Sequence, residues 1–307
     1  MTAQINRRRL LGLAGAGTGM LALSACGLSG ETAFGSGSTS QTVLVGSADF
    51  TESQIIAEIY AAALNKRGIT AETRPAIGAR EAFIGALKEG TVGVVPDYTG
   101  NLLLFFDKSA TATTAPDVLE ALKKAAPREL SVLDAARAED KDSLVVTAET
   151  ARKFGLKSIA DLKTHSSELV LGAPPEFAER SYGLPGLKSK YGFVPKKFSP
   201  INDGGGPLTV KALQSGDVQV ADLFSTDPAI KANKFVVLED PKNNFLPQQV
   251  VPVVNAKQVS VAAADVLNEV SALLTTEHLI ALNGRVSGEE KANTATAAKD
   301  WIEKNFS

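Results

Sequence analysis

Aromatic side chains recur just past short apolar runs: Phe50 after Thr42 to Gly46, Tyr98 after Val92 to Val95, Phe177 after Leu171-Gly172-Ala173, and Phe224 after Val218 to Ala221. Hydroxyls or carboxylates stand beside several of them, among them Thr51, Asp97, Thr99 and Ser225. This is chemistry of capture. An aromatic face attracts a quaternary ammonium cation, which cannot donate a hydrogen bond, while hydroxyls, backbone amides and helix N-termini hold a carboxylate. Bond-making chemistry is poorly provided for. No Gly-x-Ser-x-Gly, Walker loop, His-Glu-x-x-His or Cys-x-x-Cys occurs, and two His with one Cys leave little material for a metal centre or a His-based triad. Beyond Asp49, Asp97 and Asp142 no acid–base set suggests itself. We therefore expect no enzymatic activity, no metal and no cofactor. Gly204-Gly205-Gly206-Pro207 precedes a helical pattern; its free N–H groups could meet an anion, or it could be a turn before a Pro-started helix.

The elements that must position these residues alternate. Thr42 to Gly46 reads as a strand, and the Thr51/Gln54 pair as a capping box opening a helix with an Ile55, Ile56, Ile59, Ala63 stripe and Gly68 past its end. Strand candidates at Thr70 to Arg74 and Val92 to Val95 flank a helix at Glu81 to Lys88. Such alternation predicts an α/β fold with mainly parallel sheets. Helices are expected at Val261 to Leu274, at Glu277 to Leu282 stopped by Gly284, and from a Ser287/Glu290 capping box to Phe306, packing back on the first half.

The chain echoes itself. The stretch from Ala86 to Thr99 reappears as Ala212 to Ser225, and Val45-Gly46-Ser47 maps onto Leu171-Gly172-Ala173, all at an offset of 126. A pair of related lobes follows. Ligands of open α/β sheets bind beyond the carboxyl ends of the strands, so two facing lobes would gather Phe50, Tyr98, Phe177 and Phe224 around one cleft. We divide the chain into lobe 1 (42–143 plus 252–307) and lobe 2 (144–251), joined by two crossovers.

The chain of 307 residues is 44% hydrophobic and near neutral, with 32 Lys+Arg against 34 Asp+Glu and no basic cluster after Arg9, which argues against nucleic-acid binding. Residues 1–25 combine Arg7, Arg8 and Arg9 with an apolar Gly/Ala-rich run too short to span a bilayer, as in an export signal. Leu23-Ser24-Ala25-Cys26 resembles a bacterial lipobox, with Cys26 as the lipid attachment point, and Asn6 to Leu11 resembles a twin-arginine signal. Removing residues 1–25 takes three arginines and no acid, leaving 29 bases against 34 acids, a formal −5. Residues 26–41 have the Gly/Ser/Thr composition of a tether with a reach of roughly 20 Å. The expected location is the cell envelope, exported and lipid-anchored to the outer face of the cytoplasmic membrane.

Several segments together resemble one family. Gly46-Ser47-Ala48-Asp49-Phe50-Thr51-Glu52-Ser53, Pro96-Asp97-Tyr98-Thr99-Gly100, Gly172 to Phe177, Gly183 to Leu187 and Asp222 to Asp227 look like the substrate-binding subunits of ABC importers for glycine betaine, choline and carnitine. The resemblance runs from Thr42 onward. It implies a two-lobed type II periplasmic-binding-protein fold, closure on a small-molecule solute, and delivery to permease and ATPase subunits. It also implies sites. Tyr98 stands at an aromatic-cage position; two further cage positions fall at Asp142 and near Asn233; Ser53 replaces a frequent Gln; Arg80 stands near a Thr that holds the carboxylate. Asp142 could draw a cation and Arg80 could pair with a carboxylate, or either could be a solvated surface charge. The ligand set so defined is Phe50, Ser53, Arg80, Asp97, Tyr98, Thr99 and Asp142 from one side, with Phe177, Tyr182, Phe224 and Ser225 from the other. The solute is expected to be a quaternary-ammonium osmoprotectant or, because the cage is incomplete, another small polar or aromatic compound.

Overall fold

A computed structural model describes residues 42–307. The signal, Cys26 and the whole tether expected at 26–41 lie outside the described residues. The first half opens β1 (Val43–Gly46), α1 (Thr51–Lys66), β2 (Ala71–Arg74), α2 (Arg80–Glu89), β3 (Val94–Tyr98), α3 (Thr99–Phe106), α4 (Ala115–Ala125) and β4 (Leu130–Val132). The chain then crosses to β5 (Asp142–Val146), β6 (Val170–Ala173), β7 (Lys197–Pro200), β8 (Val220–Phe224) and β9 (Val236–Val237), and returns as β10 (Val250–Asn255). Helices at Val261–Leu273, Thr276–Ser287 and Thr294–Asn305 complete it.

Two five-stranded sheets result, ordered β2-β1-β3-β10-β4 and β7-β6-β8-β5-β9. They share one wiring. In each, one strand (β1 or β6) lies parallel between two others, and next in the sheet comes an antiparallel strand (β10 or β5) that the chain supplies just after a crossover. The repeat at 126 is present in the ladders themselves: Val45 pairs with Val94, and Leu171 with Val220. Gly46, the last residue of β1, and Gly172, the next to last of β6, are each overhung by an Ile and a Val; a Cβ on Gly46 would stand 2.7 Å from Ile77 Cδ1, and one on Gly172 3.0 Å from Val218 Cγ1. Gly90 and Gly216 end the equivalent helices in the left-handed region, at φ 77° and 79°.

Both faces of each sheet are covered, so the central strands are mainly apolar, as in Val43–Gly46 and Val250–Asn255. Val94 points to the layer where Ile55, Ile59 and Leu64 of α1 meet Leu267, Trp301 and Phe306. Its neighbour Val95 points the other way, to Phe83, Leu87, Leu102 and Leu122. The C-terminal helices thus pack on the first half, as expected. β5 and β10 begin at Asp142 and Val250, each two residues ahead of the expected boundaries at 144 and 252.

Local motifs fared less well. Phe50, not Thr51, is the N-cap of α1, without a side-chain cap, and Gln54 donates instead to the Asp49 carbonyl at 3.3 Å. Thr276–Ser287 runs straight through Gly284, so Ser287 ends a helix rather than opening one; the last helix is capped by Asn293, and Glu290 is taken by Arg285. Tertiary packing outweighs a cap worth about 1 kcal/mol. The Gly204 to Gly206 turn precedes Pro207–Ser215, whose first N–H groups are claimed by Asp203: Leu208 N at 2.6 Å and Thr209 N at 3.1 Å. That end already holds its anion.

Candidate functional site

The two sheets direct the carboxyl ends of β1, β3, β6 and β8 at a common cavity of about 800 Å³, its open mouth included. Phe50, Ser53, Arg80, Asp97 and Tyr98 line it from the first half. Asp142, Phe177, Tyr182 and Phe224 line it from the second. The aromatics fall into two groups. Phe50 lies 5.3 Å from Phe224 and 6.2 Å from Tyr98 between ring centroids, and Phe177 meets Tyr182 edge-on at 6.2 Å.

Thr99 and Ser225 were expected in the cavity and are not there. Both lie just past a strand end, Thr99 as the first residue of α3 and Ser225 in the turn after β8, and both hydroxyls are spent on crossover backbone and side chain. Thr99 Oγ1 donates to the Pro247 carbonyl at 3.2 Å and accepts from Gln249 N at 3.1 Å. Ser225 Oγ accepts from Lys141 N at 2.9 Å and donates to Asp140 Oδ1 at 3.3 Å. Both hold crossover chain in place. Ser53 borders the cavity, but its Oγ accepts from Ala48 N at 3.0 Å and so fixes the turn from β1 into α1. Asn233 lies beyond the Phe50–Phe224 pair on a second cavity, where it is bonded to Gln214 and Ala229.

Arg80 is neither a surface charge nor free for a solute carboxylate. Its Nη2 donates to Asp97 Oδ1 at 2.7 Å and its Nε to Asp97 Oδ2 at 2.9 Å, with Asp97 1% exposed. Asp97 Oδ1 also accepts from Tyr98 N at 2.7 Å, tying the ion pair to the end of β3. A second bidentate pair spans the halves: Arg180 Nη1 and Nη2 donate to Glu81 at 2.7 and 2.8 Å. Arg180 lines the cavity, and its Nε is buried with no partner among the described residues.

Three carboxyl groups that went unnoticed in the sequence, Glu52, Asp140 and Asp222, join Asp142 here; Asp140, Asp142 and Asp222 line the cavity and Glu52 lines the second one beside it. Glu52, in the first turn of α1, accepts from Tyr98 Oη at 2.6 Å, from Thr226 Oγ1 at 2.5 Å and from Asn283 Nδ2 at 2.6 Å. Thr226 follows β8, so this carboxylate joins one half to the other. Asp140 beside it accepts from Thr226 N at 3.0 Å. Burial, then the nearness of Glu52, drives the Asp140 carboxyl well above the usual range. Asp142 accepts from Asn101 Nδ2 at 2.7 Å. Asp222 is 3% exposed, lines the same cavity, and keeps Oδ1 unpartnered among the described residues. Its strand position, two before Phe224, was the available signal. Among the described residues no group of His, Cys, Asp and Glu is arranged to hold a metal ion.

Two like-wired α/β lobes closing on an aromatic and carboxyl-lined cavity define a solute-binding protein of the two-lobed periplasmic type. The chain belongs to the family of substrate-binding domains of ABC-type glycine betaine transport systems, whose model matches residues 41–304. It is thus the substrate-binding component of an ABC importer. Glycine betaine-binding protein YehZ of Escherichia coli (strain K12) is 30% identical over 211 residues, 65% of this chain and 69% of that one. The ergothioneine transport permease/ergothioneine binding protein EgtU of Helicobacter pylori (strain G27) is 27% identical over 259 residues, 82% of this chain but 46% of that one. A crystal structure of a glycine betaine/carnitine/choline ABC transporter protein superposes with a TM-score of 0.67 at 24% identity, covering 85% of this chain and 98% of that one, a likeness of fold. Among the described residues no helix is long and apolar enough to cross a membrane.

Proposed function

We propose that this protein captures a quaternary-ammonium osmoprotectant, glycine betaine, choline or carnitine, between lobes at about 42–143 plus 252–307 and 144–251, and hands it to the permease. The observation that carries the reading is the Phe50–Phe224 contact at 5.3 Å, two rings from opposite halves meeting over a cavity that also presents Tyr98, Phe177 and Tyr182. Rings so placed suit a methylated cation. Closure is a population shift driven by contacts that exist only when both lobes meet the solute. The free guanidinium donor for a solute carboxylate is Arg180 Nε rather than Arg80. The sequence around Cys26 supports lipid anchoring to the outer face of the cytoplasmic membrane, which would keep the carrier near its transporter.

A second reading keeps the importer role and changes the solute. It is favoured by Asp142 at a position where the family resemblance implies an aromatic, and by the placing of Asn233 outside the cavity. The similarity to an ergothioneine-binding protein makes that compound a candidate. Calorimetric titration with glycine betaine, choline, carnitine and ergothioneine tests both readings. Saturable binding of a quaternary-ammonium osmoprotectant is expected; no heat with the first three at millimolar concentration, beside clear binding of the fourth, would replace the first reading by the second.

A further inference from the structure

The cavity's deepest acids do something the family resemblance does not explain. Asp142 on β5 lies opposite Phe224 on β8, and Asp222 lies opposite Leu144. Asp142 and Asp222 are therefore diagonal neighbours on one face of the sheet, within reach of each other. Both line the cavity, at 5% and 3% exposure. Asp142 has Asn101 as a donor at 2.7 Å, whereas Asp222 Oδ1 has no partner among the described residues.

Two buried carboxylates side by side repel, and the less costly state holds one proton between them. The surroundings favour that state. Arg80 on α2 is committed to Asp97 on β3, both terminal nitrogens of Arg180 are committed to Glu81, Glu176 past β6 adds negative charge, and Tyr182 stays neutral. Burial, with Asp142 next to it, pushes the Asp222 carboxyl well above its ordinary range; Asp142 is raised by burial despite Asn101 and Arg80. A cation entering beside Phe224 removes the reason for the proton to stay. Once it leaves, Asp222 Oδ1 is a buried anion without a donor, which methyl groups cannot supply.

We propose that Asp142 and Asp222 form the subsite for the positive end of the solute, that its arrival sends their shared proton to bulk water, and that the solute carries an O–H or N–H donor beside the cation for Asp222 Oδ1. This rests on the quaternary-ammonium reading above. The probes are choline, which has such a donor, and its O-methyl ether, which does not. Titration of the purified full chain in two buffers of different ionisation enthalpy should show about one proton released per choline bound. The choline Kd should weaken by up to tenfold per unit as pH falls. The ether should bind at least tenfold more weakly. Asp222→Asn should abolish proton release and flatten the pH profile, and Asp142→Asn should do the same, so that either variant carries the test if the other disturbs folding. Choline binding without proton release and with a flat pH profile, or ether and choline binding alike, overturns the inference alone. If choline, glycine betaine and carnitine all fail to bind, the quaternary-ammonium reading falls and takes the inference with it.

Discussion

Glu52 and Thr226 stand on opposite halves of the molecule, and the Thr226 hydroxyl donates to the Glu52 carboxylate at 2.5 Å with both residues buried. Around this bond the protein has gathered Tyr98, Asn283 and Asp140. The interface between lobes is therefore polar and ordered by direction, with the aromatic contact beside it.

That aromatic contact should govern affinity. Replacing Phe50 or Phe224 by Ala removes a ring pair worth about 1 kcal/mol and a cation–π surface worth about 1–2 kcal/mol. Solute Kd should rise roughly ten- to a hundredfold for each. Because the rings touch, the double variant should cost less than the product of the two, and calorimetry of the four proteins reads the coupling.

The Arg80–Asp97 pair should govern stability. Both members are buried, so Arg80→Ala or Asp97→Ala strands the partner's charge at a cost of about 3–5 kcal/mol. Urea unfolding should show that loss. Arg80→Met combined with Asp97→Leu should recover a large part of it, whereas a loss equal to the sum of the singles would deny the pairing.

Stability should fall as pH rises above about 4. Asp140, Asp142 and Asp222 all have folded-state carboxyls raised above their unfolded range, so the native protein holds more protons than the unfolded chain once pH passes the ordinary value, and the slope is negative. Lowered carboxyls such as Asp161 and Glu81 lose their contribution only on acidification. The urea midpoint should be higher near pH 5 than near pH 8, and Asp140→Asn should shrink that difference.

Gly204 should set how closely the lobes approach. At φ +60° a Cβ on Gly204 would sit 2.6 Å from Phe50 Cβ across the interface. Gly155 has a similar φ of +66° and nothing within 4 Å. Ala at either position should cost about 1 kcal/mol of stability through its backbone. Only Gly204→Ala should also weaken solute binding and enlarge the liganded molecule in small-angle scattering.

Much of this was legible because repetition is a strong signal. The offset of 126 carried through to Val45–Val94 and Leu171–Val220, and strand ends bearing Phe50, Tyr98, Phe177 and Phe224 did converge. What failed was finer than the repeat. Thr99 and Ser225 were expected beside their aromatic neighbours, but the chain leaves its strand at each of them and their hydroxyls bind crossover segments distant in sequence. Alternation within β8 would have brought forward Asp222, which shares a face with Phe224. Glu52 looked like an ordinary first-turn acid; its burial depends on Thr226 and Asn283, 174 and 231 residues away, and nothing local announces it. Arg80 was legible as a cavity residue but not as the partner of Asp97, because a pair 17 residues apart on helix and strand depends on how the two elements dock.

The exchange of strands at the crossovers bears on the order in which the chain acquires its shape. Asp142 to Val237 contains every strand of the second sheet, whereas the first sheet needs β10, inserted between β3 and β4, before its ladder is continuous. The lobe that is begun first is finished last. Pairing Val94 with Val254 closes a loop of some 160 residues, the kind of distant contact that slows folding, while the second lobe lies looped out and already self-sufficient in strands. A nascent chain halted before Val250 would hold a complete second sheet beside an unsealed first one, with the Val94–Tyr98 edge bare and in need of protection until about the last fifth of the protein arrives.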